Sequence, residues 1–412
     1  MNRRRFLAMA GWAAGSLWRT PGVRASERDD ALVASITKHT LRRNRDGGGT
    51  TWFHPRACMM PGPDGKPTAL MTLQAIGSSD YFGPVHWSVS GDLGTTWSEP
   101  APIPALGREP VAGREGLQAG VCDVVPEFHP ATGTVLALGH VVFYREARFS
   151  NAEQLARYPV YAVRRRDGSW SPRRILRWDD PRGAYIYSNG CGQRVVLSGG
   201  DIMMSFTFGS EENNRRVAGV RCTFDGDQLR VAEVGPPLEN RVGRGLLEPS
   251  VTYWQDRFYL TMRAEDGHGY AAVSDDGLNY RRKTAWAWDD GGPIGMSSTQ
   301  QHWLTHSDGL FLVYTRQDAS NANVPRWRSP LWMARVDPER LRLVRATEQV
   351  VLPLVGDGVG APDDVALMDN FHVTNAGPDQ SWVTVGEWLP KRDARGDLLL
   401  ARIRWAKPNR LL

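Results

Sequence analysis

Apolar and polar residues alternate along most of this 412-residue chain with the period of two that marks half-buried strands. Representative runs are Thr68–Leu73, Val135–Tyr144, Arg194–Leu197, Asp201–Phe206, Arg257–Arg263, Leu310–Thr315 and Trp382–Glu387, separated by turns rich in Gly, Asp, Pro and Asn. A helical period is confined to one short stretch, Asn151–Tyr158. Grouped by their turns, the runs fall into six units of about forty to sixty residues, a spacing suited to propeller blades. The boundaries are 52–105, 117–175, 184–235, 245–290, 298–350 and 365–406. The stretch Ala31–Arg43 is positioned to add a strand to the last unit and close the ring. The expected fold is therefore an all-β, six-bladed β-propeller, with seven blades if two units are merged. A β-sandwich with an added domain is the structural alternative.

The turn at residues 90–97 is the most specific local signal. It reads Ser90-Gly91-Asp92-Leu93-Gly94-Thr95-Thr96-Trp97. Asp92 can accept bonds from turn N–H groups, Gly94 suits a positive φ, and Trp97 can pack beneath. A looser copy runs Ser274-Asp275-Asp276-Gly277-Leu278-Asn279-Tyr280, and a fragment, Asp167-Gly168-Ser169-Trp170, keeps the Asp-Gly and the Trp. The octapeptide resembles the Asp box (S-x-D-x-G-x-x-W) of BNR-repeat proteins in the sialidase (neuraminidase) superfamily. That resemblance implies a sialidase-like propeller over residues 26–412.

It also implies a site. Sialidases hold a substrate carboxylate with three arginines, and they use an aspartic acid as acid/base and a tyrosine nucleophile activated by a glutamate. Arg56, in Phe53-His54-Pro55-Arg56, matches the first arginine, and Arg263, fifteen residues after Glu248, the second. Arg328 is the third, with Arg326 a close rival. Asp80, ten residues before Ser90, matches the acid/base, and Glu248 in Leu247-Glu248-Pro249 the activating glutamate. The chain departs from the family at the nucleophile, because there is no tyrosine after Tyr314. Asp363 or Asp364 is the replacement the sequence offers. Each residue also has a plainer reading: surface ion pairs for Arg56 and Arg328, a turn for Asp80, and a cap or inter-blade bridge for Glu248.

Histidines and tyrosines near strand ends form a second reservoir: His86, His140, Tyr185, Tyr187, His268, Tyr270, His302 and His306. Of these, His268 and Tyr185 join the expected substrate-binding set. A His/Tyr pair backed by arginine suits β-elimination at a uronic acid, the chemistry of propeller-shaped polysaccharide lyases such as ulvan lyases. His302 and His306 have metalloprotease-like spacing, but Trp303-Leu304-Thr305 between them and Ser307-Asp308-Gly309 after them read as strand and turn. No metal and no cofactor is expected.

Charge and address narrow the partners. Asn2-Arg3-Arg4-Arg5-Phe6-Leu7 matches a twin-arginine export signal, followed by an apolar stretch to Leu17 and a cleavage-like Val23-Arg24-Ala25. Residues 1–25 are thus expected to be a signal peptide and the mature protein periplasmic or secreted. Those residues hold five arginines and no acids, so the remainder carries 45 basic against 45 acidic side chains. Nothing then favours nucleic acid, and after signal removal nothing favours a membrane. Four widely spaced cysteines, without a C-x-x-C pair, point to buried free thiols. The expected function is a sialidase-like exo-glycosidase acting on a glycan or other acidic saccharide. A uronate lyase and a non-catalytic carbohydrate-binding propeller are the alternatives.

Overall fold

The structure is a computed structural model that describes residues 31–62 and 65–411; the expected export signal lies outside them. Its strands form six antiparallel sheets of four to six strands each. Blade one comprises Trp52–Pro61, Pro67–Ser78, Tyr81–Ser90 and Ala101–Pro102. Blade two is built on Leu117–His129, Thr134–Arg145 and Pro159–Arg164, and blade three on Ile202–Gly209 and Arg216–Phe224. Blade four runs from Leu247–Trp254 to Thr284–Ala285, and blade five is centred on Gly309–Tyr314 and Leu331–Asp337. Blade six takes Phe371–Gly377, Gln380–Gly386 and Leu398–Trp405 from the C-terminal end and Val33–Arg42 from the N-terminal end. The ladder from Val33↔Trp405 to Arg42↔Leu398 closes the ring as the sequence predicts. The predicted helix at Asn151–Tyr158 is only a single 3-10 turn, Asn151–Glu153, since eight residues provide too little hydrogen bonding to offset nucleation.

No single core serves all six blades; apolar layers between neighbours do. Leu304, Phe311 and Leu331 of blade five meet Phe371, Val383 and Leu399 of blade six, and Leu138 and Tyr161 of blade two meet Phe206 and Val220 of blade three. Aromatic pairs fill the wedges: Trp87–Trp170 at 6.1 Å, Trp97–Trp382 at 6.2 Å and Trp286–Trp303 at 5.8 Å between ring centroids. Tryptophan suits this role because its large flat surface fills a gap that widens outward. The four cysteines are buried and free.

The turn at residues 90–97 forms as its chemistry dictates. Thr95 N–H and Thr96 N–H donate to Asp92 Oδ1 at 3.0 and 2.9 Å, and Gly94 N–H donates to Ser90 Oγ at 2.8 Å with Gly94 at φ 78°. The Thr96 hydroxyl and these N–H groups hold Asp92's carboxyl at about 2. Asp276 repeats the pattern on Leu278 and Asn279. Asp92→Ala is expected to cost about 1–2 kcal/mol in urea unfolding at pH 7. Because the folded pKa is depressed, the difference from the parent should shrink as pH falls below about 4.

Candidate active site at the inner strands

The inner strands of several blades share one irregularity. Their registers slip between Phe53 and Arg56, between Cys122 and Val125, and between Leu247 and Ser250. His54, Asp123 and Glu248 sit in these bulges at φ 51°, 57° and 46°. Left-handed backbone at a non-glycine residue costs about 1–3 kcal/mol and persists where the surroundings enforce it. Here each bulge turns a polar side chain out of an apolar strand and into the cavity at the inner strand ends. The neighbouring strand accommodates the bulge at Asp123 through Gly139, where a Cβ would lie 2.4 Å from the Cys122 carbonyl oxygen.

The cavity has a volume of about 280 Å³ and takes residues from all six blades or the loops leading into them. Asp123 lies on its wall, and its Oδ1 accepts from Arg56 Nη2 at 2.7 Å. Burial acts to raise this carboxyl, but Arg56, with His54 and His140, outweighs it and holds it well below the usual range. Asp80, at φ 56°, opens to solvent at the cavity, yet the protein crowding its carboxyl raises it against the pull of Arg328. Burial likewise raises Glu248, against Arg263, whose Nη1 lies 3.2 Å from Glu248 Oε2. The cavity thus combines one carboxylate fixed in its charged form with two carboxyls biased toward protonation. Such a division of carboxyls is what acid-assisted bond cleavage uses.

Two of the three expected arginines meet here. Arg263 and Arg328 line the cavity, each against a carboxylate; Arg328 Nε lies 3.0 Å from Asp369 Oδ2. Arg56 corrects the expectation. It is fully buried behind Asp123 and does not line the cavity, so it holds a carboxylate of the protein itself. Asp363 and Asp364 are also displaced from their expected place: both are exposed, and Asp364 pairs with Arg392. The acid that faces the cavity from this part of the chain is Asp369, with Asn370 beside it. His268 and Tyr185 do not line the cavity. His268 stacks edge-on with Tyr270, and Tyr185 lies behind the guanidiniums of Arg157 and Arg215. His302 and His306 lie on a strand, as read, and bond to Ser250 and Gln300 and to the Lys407 carbonyl respectively. Asp123, Arg157, Arg215, Arg244 and Asp369 are cavity residues that sequence reasoning missed, whereas His140, from the histidine reservoir, does line the cavity.

Cys122 Sγ, an Asp123 carboxylate oxygen and a His140 ring nitrogen lie within 4.8 Å of one another, the one grouping of metal-ligand types among the described residues. Asp123 is already engaged by Arg56, a cation that works against a second positive charge on the same carboxylate.

The architecture defines a sialidase-like six-bladed β-propeller. Trypanosoma rangeli sialidase matches with a TM-score of 0.60 at 14% identity, over 90% of this chain and 60% of that one. This chain therefore spans about three fifths of that protein's length. A Dyadobacter fermentans protein of unknown function matches with a TM-score of 0.62 at 14% identity, over 90% of this chain and 100% of that one. A Hadza microbial sialidase, Hz136, matches with a TM-score of 0.60 at 12% identity, over 89% and 68%. No protein-family model matches the sequence, and no curated protein matches it significantly. At such identities the likeness establishes the fold. Among the described residues, no helix is long and apolar enough to cross a membrane.

Proposed function

We propose that this protein is a sialidase-like exo-glycosidase that hydrolyses a terminal carboxylate-bearing sugar from a glycan. The observation that carries the reading is the convergence, in one cavity, of Asp80 and Glu248 with raised carboxyls, an ionised Asp123, and the arginines Arg263 and Arg328. The cavity's size suits one sugar ring rather than a long chain. T. rangeli sialidase, of the same fold, has been solved with sialic acid bound. In this reading Arg263 and Arg328 hold the substrate carboxylate. Asp80 gives its proton to the glycosidic oxygen as the bond to the anomeric carbon breaks; water then adds to that carbon and its proton returns to the Asp80 carboxylate. Asp123, held so far down, is a weak base, so its part is electrostatic: a fixed negative charge facing the oxocarbenium-like transition state. Among the described residues Glu248's charged partner is Arg263, with no tyrosine bonded to it, so its role is to orient that arginine.

His140 supports a second reading. It lines the cavity, burial pushes it down to about 4, and Tyr144, four residues further along the same strand, lines the cavity too. A neutral imidazole and a phenol facing the same cavity are the equipment for removing a proton α to a carboxylate. Incubation with a panel of sialosides and uronate polysaccharides, read by mass spectrometry and ultraviolet absorbance, separates the two. A saturated free sugar with one added water is the expected product. An absorbing 4,5-unsaturated sugar would establish the lyase instead, and retention of glycan without any product would leave a binding protein. On this proposal Asn2–Leu7 belongs to a twin-arginine export signal and the enzyme works outside the cytoplasm.

A further inference from the structure

Six arginines line the cavity, and four of them have a carboxylate within 4 Å. Arg244 is held by Glu265, Arg263 by Glu248, and Arg326 and Arg328 by Asp369. Arg157 and Arg215 have no such partner among the described residues. Instead both guanidiniums rest on the Tyr185 ring, at 5.2 and 5.7 Å from its centroid. Arg215 is only 4% exposed, its Nε donates to the Glu212 carbonyl, and the Arg157 Nε is buried without a partner. The carboxylate of Glu212, on the cavity wall, is solvent-exposed and makes no ion pair with either.

The backbone enforces this crowding of cations. Arg157 is fixed at the junction of blades two and three, where its N–H donates to the Tyr185 carbonyl and its carbonyl accepts from Tyr187 N–H, both at 3.0 Å. Arg215 is fixed at the junction of blades three and four, between the Arg244 carbonyl and Leu246 N–H. That second seam closes over Gly245 at φ 88°, where a Cβ would meet the Arg215 carbonyl oxygen at 2.2 Å. Burial, then the nearby charges of Arg157 and Arg244, push the Arg215 guanidinium down to about 10. The exposed carboxylate of Glu212 offsets this only in part and from beyond ion-pair distance, so the pair is destabilised in the unliganded protein and relieved by a bound oxyanion.

We propose that Arg157 and Arg215, stacked on Tyr185, form a second anion subsite in the cavity, separate from Arg263 and Arg328, that takes a further acidic group of the glycan. This rests on the reading of the cavity as an acidic-glycan site and deepens it: the substrate carries two anionic groups, the second a sulfate ester or another carboxylate. Guanidinium forks suit either group.

The test is a binding titration that needs no turnover. Sodium sulfate and sodium acetate are titrated into the protein by calorimetry at constant ionic strength, with chloride as the balancing salt. Sulfate or acetate is expected to bind the parent, and Arg157→Gln and Arg215→Gln are each expected to weaken that binding at least about tenfold. Arg263→Gln should retain the part of the binding that Arg157→Gln removes, and can lose only acetate held at Arg263 and Arg328. Whichever anion binds more tightly identifies the second group as sulfate ester or carboxylate. Should Arg215→Gln fail to fold, Arg157→Gln, at a less buried position, decides alone. Absence of binding by both anions, or affinity that ignores Arg157 and follows Arg263, overturns the subsite. An inactive protein that still binds through Arg157 would remove the proposed hydrolysis and not the subsite, and an active one with no such binding would do the reverse.

Discussion

Replacing Arg56 with leucine is expected to lower the unfolding free energy by about 3–5 kcal/mol, the largest stability effect of any single change at the cavity. Arg56 is fully buried, and its Nη2 provides the countercharge for Asp123. Without it, Asp123 must either remain charged in a buried bulge or bind a proton, and both are costly at pH 7. The pH dependence gives the sign. In the parent, Asp123's depressed pKa contributes stability above the ordinary carboxylate range that is lost as pH falls below it. In the variant burial dominates and the carboxyl rises, so the deficit relative to the parent should shrink on acidification. Removing both charges, in Arg56→Leu with Asp123→Ala, should recover much of the loss, because the uncompensated charge is gone. Urea unfolding of the two single variants and the double variant measures this. A single Arg56→Leu variant within about 1 kcal/mol of the parent, or simple additivity in the double, would show that the pair does not hold the bulge.

The same pair shows what the sequence could and could not convey. Blades were legible because each repeats period-two alternation and apolar filler between sheets, and because some carry a turn with fixed chemistry. Ser90–Trp97 could be read to the level of single hydrogen bonds, since all its partners lie within eight residues. The cavity obeys no local rule. Asp123 lies within Val121-Cys122-Asp123-Val124-Val125, where alternation gives no hint of a left-handed residue. A lone acid inside so apolar a run was the available signal. Arg56 was found by its motif, but its direction depends on Asp123, 67 positions away. Asp363 and Asp364 are close in number to Asp369, yet a 3-10 turn at Pro362–Asp364 keeps them on the surface. Arg157 and Arg215 were hidden by composition: in a chain where all but five of the 50 basic residues are arginine, only the presence or absence of a carboxylate partner distinguishes them.

Asp80→Asn should reduce turnover of an alkyl glycoside by about 10²–10⁴-fold, the usual contribution of a positioned general acid. The amide fills the same volume at the cavity mouth but cannot release a proton to the departing oxygen. The loss should depend on the leaving group: a nitrophenyl glycoside, whose phenolate departs without protonation, should retain most of the parent rate. The pH profile provides an independent reading. Crowding raises Asp80's carboxyl, so the parent should lose activity as pH climbs through a value above the ordinary carboxylate range. That limb should be absent from the variant on the activated substrate. Arg263→Ala should act differently, through KM as well as kcat, because it removes the grip on the substrate carboxylate and leaves Glu248 without its counter-ion. Unchanged turnover of the alkyl glycoside by Asp80→Asn would remove Asp80 from the chemistry. If an unsaturated product persisted in that variant, the proton would be moving through His140 instead, and the arginines would be serving an elimination.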